Sequence, residues 1–232
     1  MSAFEQSEFR IKRAREKLTE LNTLAGELRE GHFQIEVPHS EDAPRQKYLA
    51  IYREALPGLL ILISEIVLHL RAALDHVIFV LARIDSGSVQ DGTQFPINDR
   101  KEFFANNRTA CLKHLSDKHF AIVERFQPYH GTNLKLLNRL SNVDKHRQFI
   151  QLTIAGNFIT QRMNLVRDDA EVAQAEPIIR SINAALRVMT MGMYRYVAPD
   201  ILLDNGVPVC KALEILHSEV SNIVREFDAV LK

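Results

Sequence analysis

Apolar residues recur at helical spacing through the first ~30 residues, at Phe4, Ile11, Leu18, Leu21, Leu24 and Leu28. The pattern predicts one amphipathic helix over residues 1–31, with Gly31 where a C-terminal cap belongs. Strict alternation then follows in His32-Phe33-Gln34-Ile35-Glu36-Val37 and ends at Pro38, which predicts a short strand. Residues 39–45 hold a second proline, Pro44, and several charges and read as a loop.

Pro57 and Gly58 open the longest apolar-rich segment, which runs to the Asp85-Ser86-Gly87-Ser88 breaker. Leu62, Ile63, Ile66, Leu70, Leu74, Val77 and Leu81 make an apolar arc, with Ile61, Leu68 and Phe79 on the other side. Apolar residues nearly all round predict a central, buried helix over about 57–84. In the loop of residues 86–100, Gln94-Phe95-Pro96-Ile97 offers Phe95 and Ile97 as plugs into the core. Two more helices are predicted, about 109–126, stopped by Gln127-Pro128, and about 133–145.

Beyond Gln148 the texture changes. Phe149, Leu152 and Ile154, then Phe158, Ile159 and Met163, flank Ala155-Gly156-Asn157, a candidate hairpin turn. Residues 178–197 fit a helix through Ile178, Ile182, Ala185, Met189, Met193 and Tyr196, yet 187–196 also reads as a strand. Asp204-Asn205-Gly206 signals a turn, and residues 209–231 carry one clear apolar helical face. The expected fold is α+β, mainly α: a single domain over residues 1–232, a helical bundle around the central helix, with a small antiparallel sheet from the C-terminal half. Its parts are the N-terminal helix (1–31), a helical core (32–147), strands and hairpins (148–208) and the closing helix (209–231).

Composition narrows the function classes. Hydrophobic residues make up 46% and charged residues 25%, ordinary globular values. Lys plus Arg equals Asp plus Glu at 29 each, so bulk charge captures neither nucleic acid nor a membrane, although residues 9–17 (FRIKRAREK) form a local basic run. The only two cysteines, Cys111 and Cys210, support neither a disulfide framework nor a Cys-rich zinc site, and read as reduced thiols in a cytoplasmic protein. No secretory signal is legible at the start. Glu65, His69, Arg71, Asp75 and His76 interrupt the apolar segment, leaving no uncharged run of the ~20 residues a membrane span needs. No membrane partner is expected.

Candidate chemistry gathers in three strings. Inside the central helix, Arg71 and Asp75 stand at i and i+4 and can pair along one face. Glu65, His69 and His76 lie within about 40° of one another on a neighbouring face. Burying so many ionisable groups requires pairing, so they form either a structural network or a site. The second string is Ser141-Asn142-Val143-Asp144-Lys145-His146-Arg147. In it Asp144 and His146 can turn inward to the central helix, while Lys145 and Arg147 are candidate binding residues or solvated cations at a helix C-terminus. The third, Phe126-Gln127-Pro128-Tyr129-His130, reads as a helix stop with an aromatic anchor.

Leu70-Arg71-Ala72-Ala73-Leu74-Asp75-His76, Gln94-Phe95-Pro96-Ile97, Gln127-Pro128-Tyr129 and Asn142-Val143-Asp144-Lys145-His146-Arg147 follow one another in an order that resembles a family of bacterial proteins sharing LRSALDH, FPI, QPY and NxDKHR motifs. Gly206-Val207-Pro208-Val209 is similar too, so the resemblance spans roughly Phe33 to the C-terminus. That family implies no reaction. Arg71 and His76 also match the R-x4-H signature of the HEPN superfamily, helical domains that often act as metal-independent ribonucleases on a dimer interface. Arg108/His114, Arg125/His130 and Arg139/His146 have similar spacing, and Ala72 stands where those enzymes carry a polar residue. The place of Arg71 and His76 on the buried helix is what singles them out.

Three readings follow. In the first the protein is a non-catalytic scaffold whose Arg71, Asp75, Asp144 and His146 form one buried network joining two helices. In the second it is a HEPN-like ribonuclease or RNA-binding relative. His76 would then move the proton, Arg71 would hold the phosphate and Asp75 or Asp144 would orient the ring. In the third Glu65, His69 and His76 hold a metal, although no H-E-x-x-H or E-x-x-H spacing is present. The first two need no cofactor. RNA and a second copy of the chain, as a homodimer, are the candidate partners.

Overall fold

In the computed structural model, residues 2–33, 43–145, 152–155, 200–203 and 206–231 are described. The fold is mainly α. Helices α1 (Glu5–Phe33), α2 (Ala43–Ser86), α3 (Lys101–Ala105), α4 (Asp117–Arg125), α5 (Leu134–Lys145) and α6 (Val209–Val230) follow in order. Strands β1 (Leu152–Ala155) and β2 (Asp200–Leu203) separate α5 from α6, and single 3-10 turns occupy Asn106–Thr109 and Pro128–His130.

The buried positions of α1 are Phe4, Ser7, Ala14, Leu18, Leu21, Ala25 and Leu28, with Ile11 partly buried. They alternate by three and four, the seven-residue rhythm that keeps one stripe against a neighbouring helix. Leu59, Ile63, Ile66, Leu70, Ala73, Val77 and Val80 repeat the rhythm on α2, beside a second row at Leu60, Val67, Leu74 and Leu81. On α6 the row is Val209, Leu213, Leu216, Val220, Ile223 and Phe227. α1 runs antiparallel to α2, since Ser7 meets Ala73, Lys17 meets Glu65 and Leu24 lies beside Gly58. It runs antiparallel to α6 as well, from the Ser2–Asp228 bond at one end to Asn22–Glu214 at the other. α5 and α6 also pack on α2, which is the hub of the bundle. By length and mean hydropathy (1.7), residues 54–86 are long and apolar enough to cross a membrane; here they pack against α1, α5 and α6.

Element boundaries depart from the sequence expectation in three places. α1 continues through Gly31 to Phe33, so the strand expected from His32 does not begin there, and residues 34–38 lie outside the described set. An internal glycine costs a helix only ~1 kcal/mol, too little by itself to end one. α2 begins at Ala43, with Pro44 in its first turn where no N–H is needed, and so replaces the end of the expected loop. Pro57 therefore sits inside the helix and cannot bond the carbonyl of Arg53. Ile51, Ala55 and Leu56 pack on the core upstream of it and carry the helix through. The helix expected from Thr109 starts only at Asp117, because Ser116 caps it by accepting the His119 N–H at 3.4 Å. Nor is α2 buried all round: Ile61 and Leu68 stand 57% and 54% exposed.

β1 pairs antiparallel with β2 in the register Leu152↔Leu203 to Ala155↔Asp200. That is a different partner from the expected hairpin strand, whose residues Phe158, Ile159 and Met163 lie outside the described set, as does the ambiguous stretch 178–197. Asp204 and Asn205 of the turn expected after β2 lie outside the described set. Gly206 (φ 78°) donates to the Leu203 carbonyl at 2.8 Å, and the chain enters α6 three residues later.

Candidate functional site

The central charges converge on a loop. Arg71 is only 4% exposed. Its Nη2 donates to the Phe95 carbonyl at 2.6 Å and to Asp75 Oδ1 at 3.0 Å. The same Asp75 oxygen accepts the Phe95 N–H at 3.0 Å. One donor and one acceptor on successive turns of α2 thus meet both backbone polar groups of a single residue, whose ring is wholly buried. A buried, irregular segment has no ladder to satisfy its backbone, so side chains must do it. Among the described residues, Arg71 Nη1 has no hydrogen-bond partner.

Gln127 continues the same work three residues along. It is wholly buried, and its Nε2 donates to the Pro96 carbonyl at 2.9 Å and the Val123 carbonyl at 3.1 Å. Its Oε1 accepts the Asn98 N–H at 2.9 Å. Asn107 then ties the Asn98 side chain to the carbonyls of Phe103 and Phe104. Residues from the LRAALDH, FPI and QPY strings therefore form one structure around Phe95–Asn98. Beside it opens a groove of about 660 Å³, lined by Ile97, Pro128, Leu136, Arg139, Val207 and Ile215 among others. Tyr129, at the edge of this region, donates to Glu124 at 3.3 Å; burial first and the Glu124 charge second push its hydroxyl pKa up to about 12.

His76 belongs to a different face. Five residues separate it from Arg71, about 140° around the helix. Its Nδ1 lies 3.3 Å from the Ser7 hydroxyl, which donates to the Ala73 carbonyl at 3.0 Å. It borders a cleft of about 580 Å³ with Gln6, Phe79 and Arg83. Burial, then the Arg10 and Arg83 charges, hold its pKa below the ordinary histidine value. The structure joins Arg71 to Asp75 but turns His76 toward α1.

The remaining candidates are dispersed. Glu65 pairs with Lys17 at 3.4 Å. His69 is held below its ordinary pKa by burial, then by Arg10 and Arg13, against the opposing charge of Glu65. Among the described residues no three His, Cys, Asp or Glu side chains cluster closely enough to hold a metal, so Glu65, His69 and His76 do not form a metal site. Asp144 and Lys145 end α5, but their side chains lie outside the described set, as do His146 and Arg147 entirely. The expected convergence of Asp144 and His146 on the central helix falls on those residues. Cys111 and Cys210 are both partly buried. Burial pushes the Cys111 thiol up, with only a partial counter-pull from nearby Arg71, so it is a poor nucleophile.

Three participants escape a reading of the sequence alone. Gln127 has the look of a helix stop, and nothing in its neighbours' pattern marks it as a buried clamp. Asp85 and His119 left a better signal. A carboxylate in the last turn of α2 faces the negative end of the helix dipole and calls for a partner. The partners are His119 Nδ1 at 2.8 Å and the Ser116 N–H at 2.7 Å. Burial works to raise the Asp85 pKa, but the Ser116 N–H and the His119 ring outweigh it and hold the carboxyl below its ordinary range. Arg108 closes the same corner by donating to the Leu115 carbonyl at 2.6 Å and pairing with Asp117.

No protein-family model, curated protein or solved structure matches the chain.

Proposed function

We propose that this protein is a non-catalytic helical scaffold, in which the Arg71–Asp75 pair fixes the Phe95–Asn98 segment and thereby shapes the wall of the adjoining groove. One observation carries the reading. The guanidinium and carboxylate that chemistry would need are engaged with the protein's own backbone at Phe95, at 2.6 and 3.0 Å. The groove, about 660 Å³ with apolar walls and Lys135, Asn138 and Arg139 among its polar groups, is where a ligand or partner would sit.

A second reading, a HEPN-like ribonuclease or RNA-binding relative, keeps His76 but needs Arg83 in place of the Arg71 that the R-x4-H resemblance names. Partly buried His76 borders the smaller cleft together with Arg83, two turns further along the same helix face. A neutral imidazole can accept a ribose hydroxyl proton, and an arginine can hold the phosphate.

Two variants separate the readings. Breaking a buried charge pair costs ~3 kcal/mol or more, so Arg71→Ala should lower the denaturant midpoint accordingly and change no RNA activity. His76→Ala should leave both stability and RNA behaviour nearly unchanged under the scaffold reading. Loss of RNA cleavage or binding in His76→Ala, at an unchanged midpoint, overturns the scaffold and supports the second reading.

A further inference from the structure

Helix α1 meets histidines on both of its seams. On the α6 side, His217 is 7% exposed and bonded through both ring nitrogens. Arg15 Nη2 lies 3.1 Å from Nδ1, and the Ile11 carbonyl lies 3.2 Å from Nε2. A guanidinium only donates, so Nδ1 must be the acceptor, and Nε2 then carries the proton that it gives to Ile11. That geometry admits one neutral tautomer and no imidazolium. On the α2 side, His76 meets Ser7; the charges of Arg10 on α1 and Arg83 on its own helix act on it, and Glu5 of α1 borders the same cleft. His69 faces Arg10, Arg13 and Lys17 of α1, with Glu65 as the one opposing charge. Around His217 the charged groups are Arg15 of α1 and Arg225 of α6.

We infer that mild acid loosens α1 from α2 and α6 ahead of the rest of the bundle, because each histidine at its seams gains charge beside an arginine of that helix. Protonated His217 loses its acceptor for Arg15, and two cations are left in contact across a buried seam. His69 and His76 add the same repulsion through Arg10 and Arg13. All three rings titrate below the ordinary histidine value when α1 is docked, burial being the largest cause at each. Above about pH 6.5 docked and opened forms are both neutral and nothing is lost. As pH falls below that value, the opened form takes up protons that the docked form refuses, and docking weakens. Opening uncovers the Leu18 and Leu21 stripe and the facing row of α2.

Hydrogen exchange read by mass spectrometry on the whole chain at pH 7.5 and 5.5, corrected for intrinsic rates, tests this directly. Peptides from α1 should lose protection at least tenfold relative to those from α5. His217→Gln keeps an amide oxygen for Arg15 and an N–H for Ile11 but cannot titrate, so it should reduce that loss. Equal loss in α1 and α5 overturns the inference, as does a triple His69→Gln, His76→Gln, His217→Gln variant that keeps the wild-type pH response. Should the variants not fold, the wild-type histidine NMR titration decides: a His217 midpoint below 6.5 supports the inference, and one at or above it does not.

Discussion

The three-helix seam of α1, α2 and α6 and the irregular segment Phe95–Asn98 bury side chains by opposite means. In the seam, rows of leucine, isoleucine, valine and alanine repeat every seven residues and the helical backbone satisfies itself. In the segment the backbone has no such ladder, and Arg71, Asp75 and Gln127 reach in to bond Phe95, Pro96 and Asn98 one group at a time. Apolar burial is non-directional, so the seam should tolerate changes of shape. The clamp depends on donor and acceptor positions and should tolerate almost none.

The largest expected effect tests the clamp. Gln127→Ala strands the Pro96 carbonyl and the Asn98 N–H and leaves a void, and it should cost about 4 kcal/mol in chemical denaturation. Gln127→Glu keeps the shape but loses both donors; a cost below that of a core methylene would refute the claim that hydrogen bonding holds this segment. Asp85→Asn comes next, at roughly 2 kcal/mol near pH 7, since it removes a charge from bonds to Ser116 and His119. Because the folded pKa of Asp85 is lowered, its contribution is present above about pH 3.9 and lost as pH falls through the folded value. The wild-type and Asp85→Asn stability curves should therefore converge in strong acid, and a constant gap would rule this account out. The smallest effect belongs to the seam: Leu21→Met should cost roughly 1 kcal/mol and leave the denaturant slope unchanged.

The same contrast explains what could be read from the chain. Period and apolarity reveal the seam, so α6 was legible almost to the residue and α1 over most of its length. Gly31 misleads because its helical penalty, about 1 kcal/mol, is too small by itself to end a helix, and Pro57 because tertiary packing outweighs its penalty of about 3 kcal/mol. Ser116 was missed as a helix start although Ser-Asp before an apolar run is a capping signal. Arg71 and Asp75 were legible as an i, i+4 pair, but their target was not, because a backbone amide leaves no trace in side-chain identity. The pairing of β1 with β2 was equally hidden, since strands that far apart share no turn to announce them.

The grip of α2 on Phe95 has a consequence for how helices and loops can be joined. A carbonyl and an N–H of one extended residue are what a neighbouring strand would normally pair. Here an arginine and an aspartate, four positions apart on a helix, imitate that neighbour for a single residue. A helix so equipped behaves as a one-rung sheet edge, and seating an aromatic loop residue on a bundle then asks for two well-placed side chains rather than a strand.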